Sequence, residues 1–488
     1  MCESCFPGLN RREFIAAGGL SAAALSSLSA HAAEDTEPAI APIKKKPASV
    51  LAVFLYPPLD VVEAGKLEDS WARHHWSTWP GNQFQPEKQQ QKFTGKIKEM
   101  AKKLGVDVEF IPGSVYTSDG VAQFIARAKQ ANPDAVLVVN FWNTFSKWAY
   151  RITQEVGCPS IVYHSVGSNH QLPPKDLMRA EGIYYIHSIE NWEEIDRALR
   201  AVHAKKQLAQ SRMLRVGPYG EVKESTDARL GFRVVTVPAG DYNALFDSIA
   251  VDDAMRRRAA EFGKQALRVR DVTDEYLAQA FRAHETVNRL RRHYGGDAVT
   301  IKCLMLKQRK PCVSFSLNNG DLNPCGCEND FNATRTMMLG RWLFERGGFQ
   351  HNPEFDTSRN QYFASHCTCA TKLLGPDGPE QDYWIRPFFH QLPKTAALDV
   401  QWASGDPVFL TKDDGRTIHC WTGTVDCSPS SPPTGGCATR VLVNIDRVDD
   451  VCEVYPGPHP VLYRGTPAEA KRLRAFAKLY RIPLTGNV

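Results

Sequence analysis

No uninterrupted apolar run in the 488 residues reaches the roughly 18 needed for a membrane-spanning helix. Charge of one sign is also scarce. Fifty-nine Lys and Arg stand against 54 Asp and Glu, a surplus of +5 spread along the chain, which argues against a nucleic-acid-binding face. There is no Gly-x-Gly-x-x-Gly after the first predicted strand, so a dinucleotide site has no support. At 43% hydrophobic and 23% charged residues, the composition excludes a disordered, collagen-like or coiled-coil chain. The length suits about three domains.

At the N-terminus, Asn10-Arg11-Arg12-Glu13-Phe14-Ile15 precedes a mildly apolar stretch rich in Ala and Ser, which ends at Ala30-His31-Ala32. The paired arginines and small-residue cleavage site resemble a bacterial twin-arginine export signal. Gly18-Gly19 and the serines after it make a buried helix a poor alternative. The expected mature protein is therefore periplasmic or extracellular. Removing Cys2 and Cys5 with the leader leaves eleven cysteines, ten of them after residue 300. An oxidising destination permits disulfides, and the odd number leaves at least one thiol over.

From residue 49 to about 173, buried-strand patterns (50–55, 108–111, 135–139, 160–163) alternate with helical spacing (92–104, 121–131), which predicts a parallel sheet flanked by helices. His164 and His170 read as loop histidines after the last of these strands. Similar alternation resumes near Gly182, with a strand at 183–186, a helix at 191–208, a strand at 232–237 and charged helices at 253–267 and 275–292. Beyond about 382, short β-rich runs between Gly, Pro and Asp clusters predict an antiparallel barrel or sandwich. The fold class is α/β: two α/β domains followed by a β domain.

The densest polar constellation runs from Asn318 to His366 and includes Cys325-Gly326-Cys327-Glu328-Asn329-Asp330 and Ser365-His366-Cys367-Thr368-Cys369. Each member also has a plain reading. Glu328 or Asp330 caps a helix, Asp356 sits in a solvated loop, His366 is a satisfied core histidine and His459 a turn residue. Zinc held by Cys325, Cys327, His366, Cys367 and Cys369 is an alternative, although Cys-x-Cys is tighter than the usual zinc spacing.

Taken together, Gly326-Cys327-Glu328-Asn329-Asp330, an acidic residue near 356 and His366-Cys367-Thr368 resemble the core of the L-fucose/L-arabinose isomerase superfamily. The segment Asn140-Phe141-Trp142-Asn143-Thr144-Phe145-Ser146-Lys147-Trp148, with Cys158-Pro159-Ser160 after it, and the ending from His459 through Val461-Leu462-Tyr463, also resemble it. The resemblance implies an N-terminal Rossmann-like domain (48–173) after a signal peptide (1–33) and linker (34–47). A second α/β domain (174–350) and a C-terminal β-barrel domain with a terminal helix (351–488) follow.

It further implies a divalent metal, Mn2+ foremost, held by Glu328, Asp356, His366 and His459, with Glu354 as the alternative to Asp356. Glu328 and Asp356 would jointly serve as acid and base in aldose–ketose interconversion of a small carbohydrate through an enediol. Epimerisation or elimination at the same ligands, and a non-catalytic carbohydrate-binding protein, are the rival functions. Trp142, Trp148, Trp384 and Trp402 are candidate sugar-stacking faces. The family also implies a homo-oligomer.

Overall fold

The computed structural model describes residues 38–66, 85–165, 174–389, 392–429, 437–454 and 457–488. The export signal and His170 lie outside these residues. Among the described residues, no helix is long and apolar enough to cross a membrane.

Five parallel strands form the first sheet, in the order Val106–Phe110, Ala48–Leu55, Ala135–Asn140, Ser160–Ser165, Ile183–Ser188. Both faces of its central strands are buried, which is why they read as continuous apolar runs. The flanking helices carry ordinary start and stop signals. Pro86 opens Pro86–Leu104, which Gly105 closes in a left-handed conformation; the Thr117 hydroxyl accepts the Gly120 N–H to start Ser118–Ala131. One expectation changes here. Ile183–Ser188 pairs with Ser160–Ser165 and completes the first sheet, whereas the sequence pattern opened a second segment with it. A run of buried residues shows that a strand exists without showing which sheet it joins.

In the second sheet the order is Cys325–Cys327, Ala298–Ile301, Arg212–Gly217, Arg233–Pro238, Lys223–Thr226, parallel except for the exposed antiparallel edge strand Lys223–Thr226. The predicted helices appear as Trp192–Ala209, Asp253–Gln265 and Asp274–His293.

The third unit is the antiparallel sheet Phe349–Gln350, Val461–Arg464, Pro407–Asp413, Ile418–Cys427, Thr439–Asn444, Gln361–His366, Asn352–Asp356. Leu484–Gly486 pairs in parallel with Ile418–Cys427. The first and last strands of this path are neighbours in the chain, separated by His351 alone. A smaller sheet pairs the central strand Tyr383–Phe388 with Leu392–Val400 on one side and, from the preceding segment, with Arg268–Val269 on the other.

A single apolar cluster joins these units. It runs from Phe54 and Phe93 in the first, through Met337, Leu339 and Leu343 on helix Phe331–Leu343, to Phe409, Tyr463 and Phe476. That helix starts at the carboxyl end of the second sheet and packs on the antiparallel one, so the residues before it lie where the two meet.

Candidate metal centre

Strand Cys325–Cys327 lies tight against helix Phe331–Leu343. A Cβ at Gly326 would come within 2.0 Å of the Thr334 hydroxyl, so only glycine fits. At the strand's end the Cys327 N–H donates to Gln350 Oε1 at 2.8 Å, and Gln350 Nε2 donates to the Cys327 carbonyl at 3.2 Å. These bonds tie the second sheet to the antiparallel one.

The chain then turns sharply through two left-handed residues, Glu328 (φ 59°) and Asn329 (φ 58°). For L-residues that conformation costs roughly 1–2 kcal/mol each, and such strain gathers at functional sites. Around the turn, the Asn329 N–H donates to the Ile301 carbonyl at 3.0 Å and the Asp330 N–H to that of Cys327 at 3.1 Å. Asp330 caps the helix, accepting the Ala333 N–H on Oδ1 at 2.8 Å.

Two histidines from the antiparallel sheet meet this turn. His366 ends strand Gln361–His366, and His459, also left-handed at φ 60°, stands just before Val461–Arg464. His366 Nε2 is 3.7 Å from Glu328 Oε1, and His459 Nε2 is 3.6 Å from Glu328 Oε2. The two rings stand edge to face with centroids 5.3 Å apart. Both separations exceed a hydrogen bond. Both imidazoles are buried, yet neither ring nitrogen of His366 nor Nε2 of His459 has a hydrogen-bond partner among the described residues. Buried polar atoms are normally paired. Two unpaired imidazole nitrogens, each facing a different oxygen of one carboxylate without bonding it, are donor types that a divalent cation takes.

The other nitrogen of His459 is fixed. Nδ1 lies 2.9 Å from Asp330 Oδ2, and Lys412 Nζ is 3.5 Å from the same oxygen while donating to the Pro458 and His459 carbonyls. A carboxylate behind a ligating imidazole is a common outer-shell arrangement. His366, facing Glu328, holds that carboxyl below its ordinary range despite burial. Burial pushes His366 down, but Glu328 and the thiols of Cys367 and Cys303 raise it on balance. Burial would raise Asp330, and His459, Lys412 and the Ala333 N–H more than offset it.

Of the four residues expected from the sequence, three come together: Glu328, His366 and His459. Asp356 does not join them. It sits at the turn of the hairpin, paired with Gln361 and bonded to the Ser358 hydroxyl at 2.7 Å and the Arg359 N–H at 3.2 Å. His366 lies at the other end of the partner strand, five residues and about 17 Å away. Glu354 is exposed opposite Phe363 on the same hairpin. The second carboxylate at the cluster is Asp330, read from sequence only as a cap. Its Oδ1 caps the helix and its Oδ2 holds His459. The run Glu328-Asn329-Asp330 already contained this carboxylate, but its second partner lies 129 residues away.

The proposed zinc set is divided. Cys327 offers its sulfur within 4.8 Å of the Glu328 and His366 donor atoms. Cys325 is buried in the apolar core of the second sheet and Cys369 in that of the antiparallel sheet. Cys367 packs with Cys312 and Cys437. The eleven cysteines of the described residues are free thiols, where the sequence suggested disulfides. Trp142, Trp148 and Trp402 are core residues, and Trp384 carries the Arg268 and Arg386 guanidinium groups at 5.5 and 5.4 Å. His164 is a buried strand residue bonded to the Tyr185 hydroxyl at 2.7 Å.

No protein-family model matches the chain, and no curated protein matches it. Among solved structures it is similar to a mutant XylFII–LytSN complex at 13% identity, over 53% of this chain and 78% of that one, with a TM-score of 0.16. The XylFII molecule (13% identity, 53% and 79% coverage, TM-score 0.17) and the unmutated XylFII–LytSN complex (12%, 53% and 80%, 0.16) are similar to the same degree. At these scores the likeness carries neither fold nor function.

Proposed function

We propose that this chain is an exported, metal-dependent sugar isomerase of the L-fucose/L-arabinose isomerase type. The observation that carries the proposal is the convergence of unpaired His366 Nε2 and His459 Nε2 on the Glu328 carboxylate. The antiparallel sheet is read as the family's barrel, since its path starts and ends on one stretch of chain broken only at His351.

Glu328, His366 and His459 would hold the ion, and oxygen and nitrogen donors without sulfur suit Mn2+. When bound, a divalent ion supplies positive charge to two neighbouring sugar oxygens as negative charge develops on them. Glu328 moves the proton. It is the one carboxylate of the cluster with a solvent-facing side, its side chain 34% exposed, while Asp330 is committed to His459, Lys412 and the helix start. Glu328 accepts the proton from C2 of the aldose, the electron pair forms the enediolate, and return of that proton to C1, with the O2 hydroxyl proton passing to O1, gives the ketose. His366 and His459 flank the Glu328 carboxylate, and Asp330 fixes the ring of His459. Return of the proton to C2 from the other face would instead give an epimer.

Elemental analysis of the mature protein beside Glu328→Gln and His366→Ala tests the site. About one divalent ion per chain, lost in both variants, is expected, followed by solvent deuterium at C1 of the ketose in heavy water. A wild type that takes up no ion even after metal is added back overturns the reading. Deuterium at C2 of a recovered aldose epimer would replace isomerisation with epimerisation.

A further inference from the structure

Cys327 and Glu328 are consecutive at a strand end, where period-two alternation would send their side chains to opposite faces. The left-handed turn at Glu328 cancels that alternation. It swings the carboxylate round so that Cys327 Sγ, a Glu328 oxygen and a His366 nitrogen all lie within 4.8 Å of one another. The backbone strain at Glu328 thus coincides with three potential ligands facing one point, and fully buried His366 is unpaired at both nitrogens.

Cys327 also has a second possible partner. Cys303 follows strand Ala298–Ile301, whose Ile301 is in register with Cys327, and the two sulfurs lie 2.8 Å apart. Both thiols are buried, and Lys310 Nζ, itself buried, fixes the Cys303 backbone through its carbonyl at 2.6 Å. Cys327 is therefore shared between a ligand position and a neighbouring thiol.

We propose that Cys327 is a redox-controlled ligand of the centre: as a thiolate it joins Glu328, His366 and His459 on the cation, and a disulfide with Cys303 withdraws it. The proposal rests on the reading that these three residues hold a cation. With the thiolate, the set is one sulfur, two imidazoles and a carboxylate, which favours a softer ion such as zinc or iron(II). Without it, oxygen and nitrogen donors remain, the set suited to manganese. The oxidant is a low-molecular-weight disulfide. The Cys327 thiolate attacks one of its sulfurs and expels a thiolate, and the Cys303 thiolate then attacks Cys327 Sγ of the mixed disulfide and expels the second. One protein disulfide and two small thiols result, so electrons balance and the two protein thiol protons pass to the released thiolates. A bound soft ion opposes this by occupying the attacking sulfur.

Cobalt(II) titration of the full mature chain tests the proposal without relying on turnover. Reduced wild type is expected to show an intense near-ultraviolet sulfur-to-cobalt charge-transfer band together with the weaker visible cobalt bands. Cys327→Ser is expected to lose the first and keep the second, and Cys303→Ser to keep both. After treatment of the metal-free chain with oxidised glutathione, wild type should lose the charge-transfer band and two titratable thiols and retain no glutathione, whereas Cys303→Ser should lose the band and one thiol and retain one glutathione on Cys327. Visible bands without charge transfer in reduced wild type would overturn the thiolate ligand and leave the Glu–His–His centre standing. No cobalt bands of either kind would overturn the centre itself. A charge-transfer band that survives oxidation would overturn the role of Cys303. The reduced-against-oxidised comparison of the unsubstituted chain decides the matter even if a serine variant fails to fold.

Discussion

His459 Nδ1 lies 2.9 Å from Asp330 Oδ2, which leaves Nε2 as the nitrogen turned toward Glu328. In a neutral imidazole the contact selects the tautomer: with the proton on Nδ1 toward Asp330, the facing nitrogen keeps its lone pair. A residue that starts a helix therefore also orients a histidine from the opposite unit.

Asp330→Asn should separate those tasks. Asparagine caps a helix as well as aspartate does, but it neither fixes the tautomer nor balances Lys412, which is buried 3.5 Å away. Metal affinity should fall about 10- to 100-fold, as read by chelator competition, and the melting temperature should drop because a buried cation loses its counter-charge. Adding Lys412→Met should restore most of the melting temperature and none of the affinity. Recovery of both would mean Asp330 acts only through charge balance.

The turn at Glu328 yields a test against the usual residue preference. At φ 59° alanine keeps the left-handed strain and glycine relieves it. Glu328→Gly should therefore be more stable than Glu328→Ala by about 1 kcal/mol in urea unfolding, and neither should bind the ion. An equal or reversed order would contradict the backbone described.

Asp356→Asn should change neither metal content nor melting temperature measurably, because its partners are Ser358 and Arg359 at an exposed turn. Loss of the ion in this variant would return Asp356 to the ligand set.

Acid sensitivity should come in part from His164. Burial, with a smaller contribution from His187, lowers its pKa from 6.5 to about 4. Between those values the unfolded chain binds a proton that the folded chain refuses. The contribution is complete above about pH 6.5 and is lost as pH falls toward 4, amounting to about 3 kcal/mol at most. His164→Asn, which retains a polar group toward Tyr185, should reduce the slope of stability against pH near 5 by about 1.4 kcal/mol per unit. An unchanged slope would show that His164 already ionises in the folded protein.

Local pattern made much of the fold legible. The buried strands of the first sheet, the helices from Trp192 and Asp274, and the change to antiparallel β structure follow from periodicity within a few residues of each position. Pairing did not. Ile183–Ser188 reads the same whether it closes one sheet or opens another, and only its hydrogen bonds to Ser160–Ser165 assign it.

The candidate site divides in the same way. The sequence by itself determined the donor types: a glutamate after a strand, a histidine ending another, and a late histidine before a third. Tertiary structure decided which of them meet. The family resemblance implied a ligand at Asp356 or Glu354, two acidic residues in one hairpin, but an extended strand carries them about 3.3 Å per residue away from His366. Asp330 looked like a cap and also holds His459 across 129 residues. Cys327, which alternation would turn away from Glu328, shares its side because two left-handed residues break the strand. Covalent neighbours dictate backbone preference, whereas the meeting of Glu328 with His366 and His459 depends on how two sheets pack.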